Sequence, residues 1–209
     1  MPYLQIFLTV ALVHLLAVIS PGPDFMMITR NSLIYSRKTG IYSAIGLGLG
    51  ILVHITYSLV GIGYIISQSI VLFNTIKILG ALYLIYIGYK SLTSKAPTIE
   101  KESEGANTKS ISDFEAIKIG FITNVTNPKA TLFFLSLFTI VISPDTPLWV
   151  KLLMGGEMSI VTFAWFALVA IILSHHLVKQ RIGKIQHYAE KFIGIVLIGL
   201  GVKVALSSR

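Results

Sequence analysis

The sequence predicts an all-α, polytopic membrane protein: six transmembrane helices in two inverted three-helix halves, with helices 1 and 4 broken. Three observations predict it. Of the 209 residues, 54% are hydrophobic and only 12% charged, against about 25% charged in soluble domains; mean hydropathy is +0.79. Apolar runs near the roughly 20 residues needed to cross a bilayer recur six times. Two of them, each the first of its half, are interrupted by proline beside a charge, at Ser20-Pro21-Gly22-Pro23-Asp24 and Asn127-Pro128-Lys129-Ala130.

The first run is Tyr3 to Ser20, continued past the prolines by a less apolar piece, Phe25 to Ser36. No Lys or Arg precedes it, so the charged start of a signal peptide is missing and the segment is read as a span. The second is Ile41 to Ile66, with Gly46, Gly48, Gly50, Gly61 and Gly63; the third is Ile70 to Leu92. A Glu/Lys/Ser/Thr-rich stretch, 93–113, reads as a mobile cytoplasmic linker between the half 1–92 and the half 114–209. The fourth run is Phe114 to Ile142, broken near Asn127; the fifth is Leu148 to Leu173; the sixth is Tyr188 to Leu206, with Glu190 and Lys191 at its start. One membrane domain, 1–209, accounts for the length.

Charge orients the runs. The links after spans one, three and five hold Arg30, Arg37, Lys38, Lys90, Lys95, Lys101, Lys109, Lys118, Lys179, Arg181, Lys184 and Lys191. The opposite side holds only Lys77, Lys151, Lys203 and Arg209. The imbalance places both termini outside the cytoplasm. It also explains the net charge of +8 without nucleic acid. The chain has no cysteine, which excludes disulfides and thiolate metal sites. No HExxH, P-loop or GxSxG is present, so no metal, cofactor, ATP or enzyme chemistry is expected. The energy source is then a gradient: one charge through 100 mV yields about 2.3 kcal/mol, about a fiftyfold concentration ratio.

Three spans per half require the halves to run in opposite senses if they are related. Pro21 and Pro128 fall in the first span of each half, and Gly48 and Gly155 follow them at the same offset of 27 residues. Interrupted helices at matching places of inverted repeats are a transporter design.

The breaks carry the chemistry. Pro21 and Pro23 cannot bond the carbonyls of Ala17 and Ile19, and Pro128 frees that of Asn124. In hydrocarbon such carbonyls need protein or a watery cavity. A new helix with a positive end starts beyond each break. The pair thus offers donors to a carboxylate and acceptors to an ammonium, the two groups of a free amino acid; the bland reading is a packing kink. Asp24 either holds an ammonium or a proton, or only caps the helix after Pro23. Lys129 either meets a carboxylate, pairs with Asp24, or snorkels to the surface. Asn124 and Asn127, three apart, line the cavity, or Asn127 caps its half-helix. Glu157 is buried in the bundle, where acids are functional by default, or lies at the interface. His54 shares a face with Gly46 and Gly50 at four-residue spacing, which favours close helix contact. It is a structural histidine or a proton relay. Proton-coupling candidates are therefore Asp24, Glu157 and His54. His14, like His54, reads as a structural histidine or a proton relay, and His175 and His176 as solvated. Tyr83, Tyr86 and Tyr89 pack or sit at an interface; Trp149 suits an interface and Trp165 bundle packing. The glycine face packs helices within one subunit or between two, leaving a homodimer open.

The motifs Ser20-Pro21-Gly22-Pro23-Asp24, Gly46-xxx-Gly50-xxx-His54, Gly80-Ala81-xx-Leu84-xxx-Gly88 and Asn127-Pro128-Lys129-Ala130 together resemble the LysE-type amino-acid exporters, in the homoserine/threonine exporter branch. The resemblance runs over nearly the whole chain, and the stretch from Thr162-Phe-Ala-Trp165-Phe166 through Gly199-x-Gly201 looks most like threonine efflux members. It implies proton-driven export of small neutral amino acids across the bacterial inner membrane. It also implies Pro21, Gly22, Pro23, Asp24, Asn127, Pro128 and Lys129 as signature positions. Two departures bear on the substrate rather than the class: a Pro-x-Phe common after the second motif is absent, proline coming at Pro144, and the His54 position varies in the branch. The alternatives are a passive amino-acid channel, or export of lysine, leucine or cysteine-type metabolites. A membrane enzyme lacks its nucleophile or metal cluster, and a purely structural protein leaves the paired breaks unexplained.

Overall fold

The computed structural model describes residues 2–68, 70–93, 111–141, 146–173, 191–192, 194–199, 201–202 and 205–206. Among them there are helices and no strands, as an all-α membrane protein requires. In order they are α1 (Pro2–Ile19), α2 (Pro23–Arg30), α3 (Arg37–Gln68), α4 (Ile70–Thr93), α5 (Asp113–Val125), α6 (Pro128–Val141) and α7 (Leu148–Leu173). A helical stretch follows within 191–206.

The first expected span is α1 plus α2, bent by 55° at the prolines. Its second piece differs from the expected continuous run: α2 passes into a π-helical turn, Asn31–Tyr35, and the chain is extended at Ser36. Asn31 explains the placement, since its amide donates to Ser43 Oγ of α3 at 2.9 Å. The fourth expected span is α5 plus α6, interrupted at Thr126 and Asn127. Two helices, Arg37–Gly61 and Leu148–Leu173, are each long and apolar enough to cross a membrane, and the bent pair makes a third. Most of the polar linker lies outside the described residues, as do His175, His176, Lys179, Arg181, Lys184, Tyr188 and Glu190. The linker's end is described: Ser112 Oγ accepts from the Glu115 amide at 3.1 Å and caps α5. Lys38 meets Asp113 at 2.8 Å beside it.

Polarity is arranged for lipid. Leu4, Leu8 and Leu12, one helical face of α1, are more than half exposed, and Leu148, Trp149, Leu152 and Leu153 likewise on α7. His14, Asn31, Ser43, His54, Ser58, Asn124, Asn127 and Thr162 are buried instead. Exposed apolar faces around a core that also buries polar side chains differ from the surface of a soluble monomer.

Helix α3 is the centre, packed along α5 and α7. Small residues set the distances. A Cβ on Gly46 would lie 2.0 Å from Ile117 O, and one on Gly120 would lie 2.0 Å from Ser43 O. Backbones touch there, so the Gly46/Gly50 face packs inside the chain rather than between copies. Against α7, Gly48 fits over Ser159 and Phe163, and Gly155 fits over Ile55; Ser159 Oγ donates to Gly48 O at 2.7 Å. Helix α4 packs on α6 through Gly80 and Ser136, and on the last helical stretch through Gly88, Gly194 and Gly201. The Lys191 ammonium donates to Leu92 O there.

Candidate functional site

The two breaks meet. The Lys129 ammonium, on the first turn of α6, lies 2.8 Å from Ser20 O, 3.3 Å from Pro21 O and 3.4 Å from Ala17 O. Ala17 O is one of the carbonyls that proline leaves without its helical partner. Gly22 makes room for the lysine stem: a Cβ there would come within 3.3 Å of Lys129 Cδ. Lys129 therefore points inward, not to the membrane surface.

Asp24, in the first turn of α2, lines the same cavity as Lys129. Asn124 Nδ2 donates to its Oδ2 at 2.8 Å and Asn127 Nδ2 to its Oδ1 at 3.0 Å. The N-cap of α2 is Gly22, with no side-chain cap bond. Capping is thus not the sole role of Asp24, although a carboxylate in a first turn still suits the helix dipole. Asn127 does two things at once: its Oδ1 accepts from the Lys129 amide at 3.0 Å, capping α6, while its Nδ2 holds Asp24.

The second freed carbonyl has its own partner. His54 Nε2 lies 2.9 Å from Asn124 O. A carbonyl only accepts, so Nε2 carries the proton, and in the neutral ring Nδ1 accepts from the Tyr57 hydroxyl at 2.6 Å. The same hydroxyl lies 3.5 Å from Thr131 O of α6. A proton added at Nδ1 makes His54 a double donor and turns the tyrosine hydroxyl toward Thr131 O. Tyr83, expected to pack or sit at an interface, also reaches the second break, its hydroxyl 3.5 Å from Pro128 O.

Between the breaks is a cavity of about 50 Å³. At roughly 10–15 Å³ per water-sized group it holds a handful of heavy-atom groups. Asp24, Asn124, Asn127 and Lys129 form its polar wall, with Ser20 and Gly22; Ile51, Phe133, Phe134 and Phe166 form its apolar wall. His14 and Thr162 also line it. Asn124 Oδ1 is buried there without a hydrogen-bond partner. Glu157 does not line this cavity; it is half-buried on α7, with Oε2 unpartnered. Sequence reasoning missed Tyr57, His14 and Thr162 as members of the site. For Tyr57 a signal existed, since it lies three residues after His54 and shares its helical face.

A model of the LysE type translocator family matches residues 15–208. The chain belongs to that family. It is 28% identical to a threonine efflux protein of Escherichia coli K12 over 213 residues, 98% of this chain and 99% of that protein. It is 33% identical to a leucine efflux protein of Salmonella choleraesuis over 201 residues, 90% and 89% of the two chains. It is 30% identical to a Bacillus subtilis membrane protein, YrhP, over 196 residues, 91% and 93%. No solved structure matches the chain. This LysE-type translocator is accordingly a multi-pass membrane transporter whose relatives include amino-acid efflux proteins.

Proposed function

We propose that this translocator exports small neutral amino acids, threonine- or homoserine-like, across the bacterial inner membrane, coupled to protons by alternating access. The observation that carries the reading is that an acid and a base, one from each break, line one small cavity. Lys129 stands on carbonyls of the first break, and Asp24 is held by amides of the second. A zwitterion presents the complementary pair. Its ammonium goes to Asp24 and its carboxylate to Lys129, each a charge-assisted bond. The efflux names of the relatives support the direction and the substrate class.

His54 is the proton carrier this arrangement favours, with Asp24 as the group it answers to. Loading His54 redirects Tyr57 toward α6, and loading Asp24 weakens its hold on both asparagines. Either event loosens the joint between the breaks, so a proton and a substrate compete for one set of contacts. Glu157, on α7 and outside the cavity lining, is the alternative carrier.

Everted membrane vesicles decide between this and a passive channel. With a proton gradient imposed, labelled threonine should accumulate inside about tenfold or more above the bath, within the fiftyfold that 100 mV supplies. A protonophore should abolish the accumulation. Equilibration to equal concentrations, gradient or not, identifies a channel.

A further inference from the structure

Two lining residues of the cavity are not used by either charge of a zwitterion: His14 of α1 and Thr162 of α7, with Phe133 and Phe134 beside the histidine. His14 is 1% exposed. Its Nε2 lies 3.2 Å from Thr162 Oγ1, and its Nδ1 has no hydrogen-bond partner. Buried side-chain polar atoms are nearly always bonded, so an exception on the wall of a binding cavity points to a ligand group.

The chemistry of that group follows from the Thr162 contact. Where the Thr162 hydroxyl donates to Nε2, Nδ1 carries the proton and donates; where it accepts, Nδ1 accepts. A hydroxyl meets either state. A carboxylate meets only the donor, an ammonium only the acceptor, and a methyl group neither. A carboxamide brings two polar groups, of which Nδ1 meets one. The rings beside His14, with centroids 5.9 Å away at Phe134 and 6.3 Å at Phe133, suit the carbon of a short side chain. We infer that His14, oriented by Thr162, is the side-chain subsite of this transporter and selects amino acids with an aliphatic hydroxyl over apolar isosteres. The inference rests on the amino-acid-export reading above.

The test is counterflow in proteoliposomes of the purified full chain, with labelled L-threonine and labelled L-valine in parallel. Competitors are unlabelled threonine, 2-aminobutyrate, which is threonine without its hydroxyl, and valine, which carries methyl in its place. In the wild type, threonine should compete about ten- to a hundredfold better than either, because an analogue that lacks the hydroxyl leaves a buried nitrogen unmet. His14→Leu should bring the three to near parity, and His14→Gln, which keeps a polar atom, should retain the preference. Valine moving as well as threonine in the wild type, or an undiminished preference in His14→Leu, overturns the subsite and leaves export standing. Movement of neither label by the wild type overturns the export reading itself. The wild-type series needs no variant to fold.

Discussion

Asp24 accepts on both carboxylate oxygens, and both donors are amides of the second break. Asparagine at this place keeps the shape and removes one acceptor. An amide NH₂ then faces Asn124 or Asn127, donor against donor, and one pairing is lost at about 1–3 kcal/mol. The charge that would hold an ammonium is lost as well. Asp24→Asn should therefore cut amino-acid efflux by about tenfold or more, the equivalent of roughly 1.4 kcal/mol, while the protein accumulates in the membrane as the wild type does. Efflux from loaded cells, normalised to protein in the membrane fraction, measures it; full efflux would take Asp24 out of the mechanism. The placement of single residues was legible in part. Charge beside proline marked Asp24 and Lys129, because charge in lipid is costly unless used. The amides that hold Asp24 were legible only as candidates, since residues 100 and 103 positions away become neighbours through tertiary crossing alone.

At the scale of the element, the prolines made the breaks readable, since a missing N–H frees a carbonyl wherever the helix later packs. What captures each carbonyl was not readable. Ala17 O is met by Lys129 from α6, and Asn124 O by His54 from α3; both captures depend on how closely helices cross. The crossing of α3 and α5 depends on glycine for space, not for backbone freedom, because no described glycine has positive φ. It also sets where His54 stands relative to Asn124. Ala at Gly120 puts a methyl 2.0 Å from Ser43 O, so the helices must part. Overpacking of this kind costs about 1–3 kcal/mol, roughly 2–12 °C in melting temperature for a chain of this size. Gly61→Ala is the matched control: nothing lies within 4 Å of its Cβ, and alanine is the better helix former by about 1 kcal/mol. Thermal unfolding in detergent should thus show Gly120→Ala melting clearly below the wild type and Gly61→Ala at or above it. Equal melting of the two would mean that α3 and α5 do not touch as described.

Under the alternating access proposed above, the whole molecule changes which side the cavity faces, and a pairing of its halves would supply a route. Gly48 and Gly155, each 27 residues after its proline, both lie in the contact between α3 and α7, each set against the other helix. That reciprocity supports two halves related by inversion and meeting at this contact. Rocking of one half against the other would then exchange inside for outside without unmaking either half. Direction of transport depends on how the chain sits in the bilayer, and the twelve basic residues on one side against four on the other predict termini outside. The absence of cysteine makes this directly measurable, since any thiol introduced is the only one. In intact cells a membrane-impermeant maleimide should label Gln5→Cys and Arg209→Cys, and should leave Lys95→Cys, in the linker, unlabelled until the membrane is opened. The two terminal sites must behave alike, because an even number of spans returns the chain to the side where it began. Labelling of one terminus but not the other would mean an odd number of crossings and would remove the inverted pairing. Labelling of Lys95→Cys alone would keep the pairing and reverse the chain, turning the polar linker outward and the cavity's export direction with it.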